Sequence, residues 1–190
     1  MQPPQSTRLS VLIPFAIITL IWGSTWLVIK DQLETVPPSW SVAYRFAIGG
    51  VAMLIWGATR RERLTLDSRG FIFAAALGFA QFVLNFNLVY RAEQHITSGV
   101  VAVVFALLLV PNAVLARIFL GQKMGRQLLA GSVVAVAGVA LLFVHEARLS
   151  AAGTSETLLG IGLSLTAVLC ASSANVMQGT KTSKAYPMAT

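Results

Sequence analysis

The sequence predicts an all-α integral membrane protein with six transmembrane helices, and two observations carry this prediction. Six long apolar stretches, separated by short charged loops, fill almost the whole chain. Hydrophobic residues make up 56% of it and charged residues only 11%, against about 25% charged in soluble domains. A helix rises about 1.5 Å per residue, so about 20 residues cross a hydrocarbon core of about 30 Å. The 190 residues therefore leave no room for a separate soluble domain.

The apolar stretches predict the helices in order along the chain. All but the second lack a formal charge, and the second contains only Arg45. Pro111 lies within the fourth stretch, where its missing N–H predicts a kink. Residues 1–146 thus hold five helices, 147–156 form an outer loop, and 157–190 hold the sixth helix and a short cytoplasmic segment. We expect the helices at about 9–29, 39–58, 70–90, 96–116, 127–144 and 157–180.

The distribution of basic residues predicts the orientation in the membrane. With a cytoplasmic N-terminus, ten lysines and arginines lie on the inner side and only Lys30, Arg91 and Arg148 on the outer side. Lysine and arginine in short loops favour the cytoplasmic side. We therefore expect a multi-pass protein of the cell membrane with both termini in the cytoplasm. The inner residues are Arg8, Arg60, Arg61, Arg63, Arg69, Arg117, Lys123, Arg126, Lys181 and Lys184.

No motif of enzyme, metal or cofactor chemistry interrupts the apolar stretches. The chain has no CxxC, HExxH, P-loop or GxSxG element, and its one cysteine, Cys170, has no partner for an internal disulfide. His95 and His145 fall at helix ends, where a solvated loop histidine is the expected state. All seven acids lie at helix ends or in loops, so we expect no carboxylate relay within the membrane. We expect no enzyme, cofactor or metal site, and no nucleic acid as a partner.

Polar residues inside the predicted helices mark a candidate site, because such residues are costly in lipid and tend to face a bundle interior. Arg45 lies within the second helix. It either extends its side chain to the outer interface or lines a water-filled cavity and offers a charge to a substrate. Gln81 and Asn85 share one stripe of the third helix, where they either bond to neighbouring helices or line a pathway.

The depth of these residues suggests a cavity that leans towards the outside. Trp26 suits the belt of interfacial tryptophans, whereas Trp22 lies too deep for a typical anchor. Several polar or aromatic residues of helices 1 to 3 fall in the outer half of the membrane. The candidate pathway residues are Trp22, Thr25, Arg45, Gln81, Asn85 and Tyr90.

Small residues predict close helix packing at two places. Ala43 and Ala47 are spaced by four on helix 2, and Gly131, Ala135 and Gly138 lie on one face of helix 5. Small residues let helix backbones approach each other in a membrane. These faces pack either within the chain or against a second copy.

A weak internal repeat indicates the architecture. Residues 21–29, IWGSTWLVI, resemble residues 169–177, LCASSANVM, at an offset of 148. The second copy lies five helices further along the chain than the first, so helix 6 runs opposite to helix 1. Inverted-topology repeats of this kind are typical of many secondary transporters.

The chain resembles an EamA-type transporter of the drug/metabolite transporter superfamily. The matching residues are Ile21-Trp22-Gly23-Ser24-Thr25, Tyr44-Arg45-Phe46, Tyr90-Arg91-Ala92, Pro111, Phe119-Leu120-Gly121-Gln122-Lys123 and Gly131 through Gly138. Family members typically have ten helices in two inverted repeats of five, and they move amino acids, other metabolites or drugs, often outward. The resemblance implies a central cavity to which Trp22, Thr25, Arg45 and Asn85 contribute.

Two departures from the family pattern qualify this resemblance. The family usually has a glutamate where this chain has Gln122, which removes a charge from that position. Four expected helices are also absent, so we expect a chain truncated after the first repeat and one helix, or one that associates with another copy or chain. Without these helices, the polar residues of helix 6 would lack cover. A non-transporting membrane subunit is the alternative function; a lipid-modifying enzyme would need a nucleophile, base or metal cluster that the sequence lacks.

Overall fold

The computed structural model describes residues 5–60, 65–149 and 153–186. Within these ranges six helices are long and apolar enough to cross a membrane. The predicted all-helical membrane fold is therefore confirmed, and the chain is a multi-pass membrane protein. The helices are α1 (Gln5–Leu33), α2 (Pro38–Thr59), α3 (Ser68–Ala92), α4 (Ser98–Leu120), α5 (Arg126–Leu149), α6 (Thr154–Gln178) and the short α7 (Lys181–Lys184).

The helices extend beyond the uncharged stretches of the sequence, because polar residues at their ends continue the helical turns. The outer loop expected at 147–156 is shorter, since α5 runs to Leu149 and α6 begins at Thr154. Asp67 caps α3 by accepting a hydrogen bond from the Gly70 amide at 2.8 Å. Arg61 and Arg63 of the expected inner loop lie outside the described residues, as do residues 1–4, 150–152 and 187–190.

Two membrane helices are irregular at mid-length. In α3 the segment Phe79–Asn85 is π-helical, a rare form that is frequent at functional sites. In α4 the helix is interrupted at Leu107 and Leu108, four and three residues before Pro111. A proline ring clashes with the carbonyl four residues earlier, which accounts for the position of the break.

Helix α6 lies at the centre of the bundle, packed against α3, α4 and α5. In its most apolar 18-residue segment, half of the residues are buried, whereas only 6% are buried in the corresponding segments of α1 and α5. Gly160 allows the closest approach, since a Cβ there would lie 2.8 Å from the Ile96 side chain. The expectation that polar residues of this helix lack cover is wrong for Ser172, which is fully buried, because α3 and α4 enclose that face. Ser173 is exposed.

The bundle has two ends, which hold different connections. One end holds the α1–α2, α3–α4 and α5–α6 connections, and we call it the predicted outer end because the distribution of basic residues predicts that it faces outside. At the opposite end the chain after α6 folds back on α3. There the Tyr186 hydroxyl donates to Asp67 Oδ1 at 2.7 Å, and its ring lies against Gly70.

Candidate solute cavity

A cavity of about 180 Å³ lies between α1, α2, α3, α4 and α6. It is mainly apolar, with a few polar side chains directed into it, as is usual for small-molecule sites. Of the six candidate pathway residues, five line it and Tyr90 lies beside it. The complete lining is Ile21, Trp22, Thr25, Trp26, Ile29, Arg45, Gln81, Asn85, Phe86, Val89, Phe105, Leu108, Ala171 and Asn175.

Arg45 provides the cationic group of the cavity. Its guanidinium carbon lies 5.4 Å from the centre of the Phe86 ring and 5.9 Å from that of Phe46, within cation–π range. Its Nη1 donates to the Tyr90 hydroxyl at 3.5 Å. Among the described residues no carboxylate pairs with it. Arg45 therefore lines the cavity, and its one hydrogen bond among the described residues is that to Tyr90; its role towards a substrate stays a prediction.

Gln81 and Asn85 add amide side chains to the lining of the same cavity. Both belong to the π-helical segment of α3, and both line the cavity. Asn85 is only 3% exposed. Gln81 Oε1 and Asn85 Oδ1 are buried without a hydrogen-bond partner in the described part of the chain. Buried polar atoms are normally paired, so these two oxygens have capacity for donors that the protein does not supply.

Tyr90 links the cavity to the predicted outer end. Its side chain is fully buried, and its hydroxyl accepts from Arg45 and donates to Gln32 Oε1 at 3.1 Å. The chain Arg45–Tyr90–Gln32 joins α2, α3 and α1 above the cavity. Sequence reasoning missed Gln32, because it lies beyond the apolar stretch of helix 1.

The tryptophans of α1 form one wall. Trp22 lines the cavity yet is 66% exposed, so it lies at the edge. Trp26 also lines the cavity, with its ring centre 5.4 Å from that of Phe105. The interpretation of Trp26 as a belt anchor is therefore wrong, because its ring turns inward to pack on α4. Thr25 is half-buried and its hydroxyl donates to the Ile21 carbonyl at 2.8 Å.

Helices α4 and α6 close the cavity on the far side. Leu108 lines it at the break in α4, and Ala171 and Asn175 line it from α6. Asn175 Nδ2 donates to Asn112 Oδ1 at 3.4 Å, which ties α6 to α4 next to Pro111. The Asn175 position in the internal repeat was the one sequence signal for this wall.

A membrane bundle with a partly polar cavity between its helices has the architecture of a membrane transport protein. Residues 9–144 match the EamA-like transporter family, so the chain belongs to that family and the resemblance seen in its motifs is confirmed.

The relatives of the chain carry transporter names or no functional name. It is 26% identical to protein PagO of Salmonella typhimurium over 162 residues, which are 85% of this chain and 52% of that protein. It is 31% identical to the uncharacterized inner membrane transporter YedA of Escherichia coli over 124 residues, 65% of this chain and 40% of that protein. The chain thus spans about half the length of the curated relatives it matches or less. No solved structure matches it.

Proposed function

We propose that this chain is part of an EamA-type secondary transporter that exports small metabolites, with the cavity as the substrate path. The substrates are amino-acid-like or drug-like solutes. Both termini lie in the cytoplasm, so the end that holds Gln32 faces outward. The residues on the substrate path are Trp22, Thr25, Arg45, Gln81, Asn85 and Tyr90.

The observation that carries this proposal is that the lining of one cavity combines a hydrogen-bond donor group with unpaired hydrogen-bond acceptors. Arg45 offers donors that suit a carboxylate, which a guanidinium binds in a planar fork. Gln81 Oε1 and Asn85 Oδ1 are unpaired, buried acceptors on residues of the lining, and they suit an ammonium group once their side chains turn towards it. A zwitterionic α-amino acid presents both groups, so it satisfies both sides at once.

The size of the cavity favours amino-acid-like over drug-like solutes. Its volume of about 180 Å³ is below the roughly 300–1,000 Å³ of drug-sized sites. Apolar rings along the wall, including Trp26 and Phe105, suit an apolar side chain.

The first test is ligand binding by the purified chain in lipid nanodiscs, followed through the fluorescence of the cavity tryptophans. The ligands are an α-amino acid, the same molecule without its amine, and the same molecule without its carboxylate. We expect the amino acid to bind most tightly. Arg45→Ala should weaken binding of the two ligands that carry a carboxylate, the amino acid and its amine-free analogue, about tenfold to a hundredfold. The reason is that a charge-assisted hydrogen bond contributes about 1.5–3 kcal/mol. Arg45→Lys should recover only part of this, since it loses the planar fork.

The matched control is Arg91→Ala, which removes an exposed arginine of α3 outside the cavity lining. It should leave all three affinities unchanged. Asn85→Leu should weaken binding of the amine and the amino acid but not of the amine-free acid. Equal binding of all ligands by Arg45→Ala and the unmodified chain would show that the cavity does not recognise carboxylates.

Flux and orientation are tested separately. A reporter that is active only outside the cytoplasm, fused after Thr190, should be silent. Liposomes that contain the chain should release a preloaded amino acid faster than empty ones only where the chain associates with another copy or another chain. Binding without flux would favour the alternative, a non-transporting membrane subunit that needs a second copy or another chain to complete the pathway.

A further inference from the structure

A buried carboxylate lies at the predicted outer end, just beyond the membrane-spanning part of α3. Glu93 follows Ala92, the last residue of that helix, and is only 7% exposed. Ser98 at the start of α4 donates its hydroxyl to Glu93 Oε2 at 2.8 Å. The other oxygen, Oε1, is buried and has no hydrogen-bond partner in the ranges that the structure describes. An ionised carboxylate in this state has one oxygen whose burial no hydrogen bond offsets.

The charged groups around Glu93 do not compensate for its burial. Lys30 on α1 attracts it but forms no ion pair with it among the described residues. Arg91 is exposed. His95 and Glu156, from the α3–α4 connection and α6, pair with each other. Burial therefore dominates and raises the pKa of Glu93 to about 7, against the opposing effects of the Ser98 hydroxyl and Lys30.

Glu93 lies next to the group that closes this end of the cavity. Tyr90, three residues earlier on α3, bonds to Gln32 and Arg45. Lys30, which acts on Glu93, and Gln32, which bonds to Tyr90, belong to the same end of α1. Parting α1 from α3 here would break the Tyr90–Gln32 bond about one helical turn from Glu93.

We propose that Glu93 is a proton-binding site whose protonation holds the predicted outer end closed. On closing, a proton from the solution on that side forms an O–H bond with Oε1, and the carboxylate becomes a neutral carboxyl group. On opening, the hydrated carboxyl group returns the proton to the same solution. The inference rests on the proposed function only in that this end must open for a solute to pass.

The direction of the effect follows from the two states. The pKa is about 7 in the closed state, and a hydrated glutamate has a pKa of about 4.3. The state with the higher pKa binds more protons, so acid favours closure. Protonation of Glu93 favours the closed state by its full free energy below the pKa of the hydrated glutamate. This free energy is lost as the pH rises through the pKa of buried Glu93. Between pH 6 and pH 8 the ratio of closed to open molecules should fall about tenfold.

The test measures opening directly, through a cysteine that is reachable only when this end opens. Ala92 is fully buried beside Glu93, so Ala92→Cys in a Cys170→Ala background supplies a single hidden thiol. The full chain in nanodiscs is treated with a bulky thiol reagent between pH 6 and pH 8. The same series with Glu93→Gln gives the pH dependence of the thiol itself. We expect the labelling rate, divided by that of Glu93→Gln, to rise about tenfold across this range.

Further variants keep the proposal falsifiable if Glu93→Gln folds poorly. Ser98→Ala removes the donor that lowers the Glu93 pKa, so the midpoint of the labelling curve should move to higher pH. Glu156→Gln changes the more exposed carboxylate at the same end and should leave the curve unchanged. A midpoint that Ser98→Ala leaves in place would overturn the proposal. Labelling does not require substrate, so pH-dependent opening without amino acid binding would instead count against the proposed function.

Discussion

Helices α5 and α6 have similar lengths but opposite environments. The most apolar window of α5 has a mean hydropathy of 2.3 and is 6% buried, whereas that of α6 has a mean hydropathy of 1.7 and is 50% buried. The more apolar helix is thus the more exposed one. In a membrane this is expected, because lipid is as apolar as a leucine side chain and does not drive apolar residues inward.

Small residues distinguish the two helices by what they contact. On α6 a stripe at spacings of three and four faces the bundle, formed by Gly160, Ser164, Ala167, Ala171 and Ala174. On α5, Gly131 and Gly138 follow the same spacing, but a Cβ at either would meet nothing within 4 Å. Of the two alternatives for the α5 face, packing within this chain is not seen among the described residues, and packing against a second copy stays a prediction.

The comparison is tested most strongly by one substitution made in both helices. Gly160→Leu should destabilise the protein by about 1–3 kcal/mol, the usual range for overpacking. The new Cβ would lie 2.9 Å from the His95 Cβ, which a side-chain rotation cannot move away. Gly138→Leu, the control, enters open space and should change little. The measurement is the temperature at which the detergent-solubilised chain loses its monodisperse elution peak.

The control also has an informative failure. Should Gly138→Leu lower this temperature as much as Gly160→Leu, then α5 is covered in the purified protein by a second copy or another chain. Helix α5 would then be exposed only in a chain that has no partner.

A smaller effect is expected from the polar contact of α6. Asn175 and Asn112 share a hydrogen bond between α6 and α4. Interhelical hydrogen bonds in membranes average about 0.6 kcal/mol and reach about 1.7. In a double-mutant cycle of Asn175→Ala and Asn112→Ala, we expect a coupling of this size in thermal stability. Asn87→Ala, which removes a bond within α3 itself, should show no coupling with Asn175→Ala. Additive effects of the two asparagines would mean that packing alone holds α6.

The sequence predicted the six helices well because each fills an apolar stretch of membrane length. Five of the six candidate residues chosen from the sequence lie in one cavity. This prediction worked because polar groups such as Arg45 and Asn85 are costly in lipid and so tend to face the bundle interior. Their role as a substrate path stays a prediction.

Other features depended on contacts that no local pattern contains. The stripes of α5 and α6 have the same spacing, and only the three-dimensional packing shows which one is buried. Trp26 is aromatic near a helix end, as belt anchors are, yet turns towards Phe105. Glu93 lies in a short connection that looks solvated in sequence, yet it is buried and accepts a hydrogen bond from Ser98 of α4.

The smallest effect is expected at the end of the chain that follows α6. The Tyr186 hydroxyl and the Gly70 amide both donate to Asp67, and they lower the pKa of that carboxyl. Tyr186→Phe removes the hydroxyl but keeps the ring on Gly70, so the fall in thermal stability should be slight because both groups are exposed. Tyr44→Phe, on an exposed ring stacked against Trp40, is the control and should change nothing.

The pH dependence separates this contact from ring packing. Because the Asp67 pKa is lowered on folding, its contribution is full above the ordinary aspartate pKa of about 3.9 and is lost as the pH falls through the lowered value. The same bond raises the pKa of Tyr186, so the contribution persists until the tyrosine ionises at alkaline pH. The difference between Tyr186→Phe and the unmodified chain should therefore be constant from pH 5 to pH 9 and shrink in stronger acid. A difference that persists at pH 2 would mean that the hydroxyl acts through a partner other than the Asp67 carboxylate, and that the segment after α6 is not anchored to α3 by this bond.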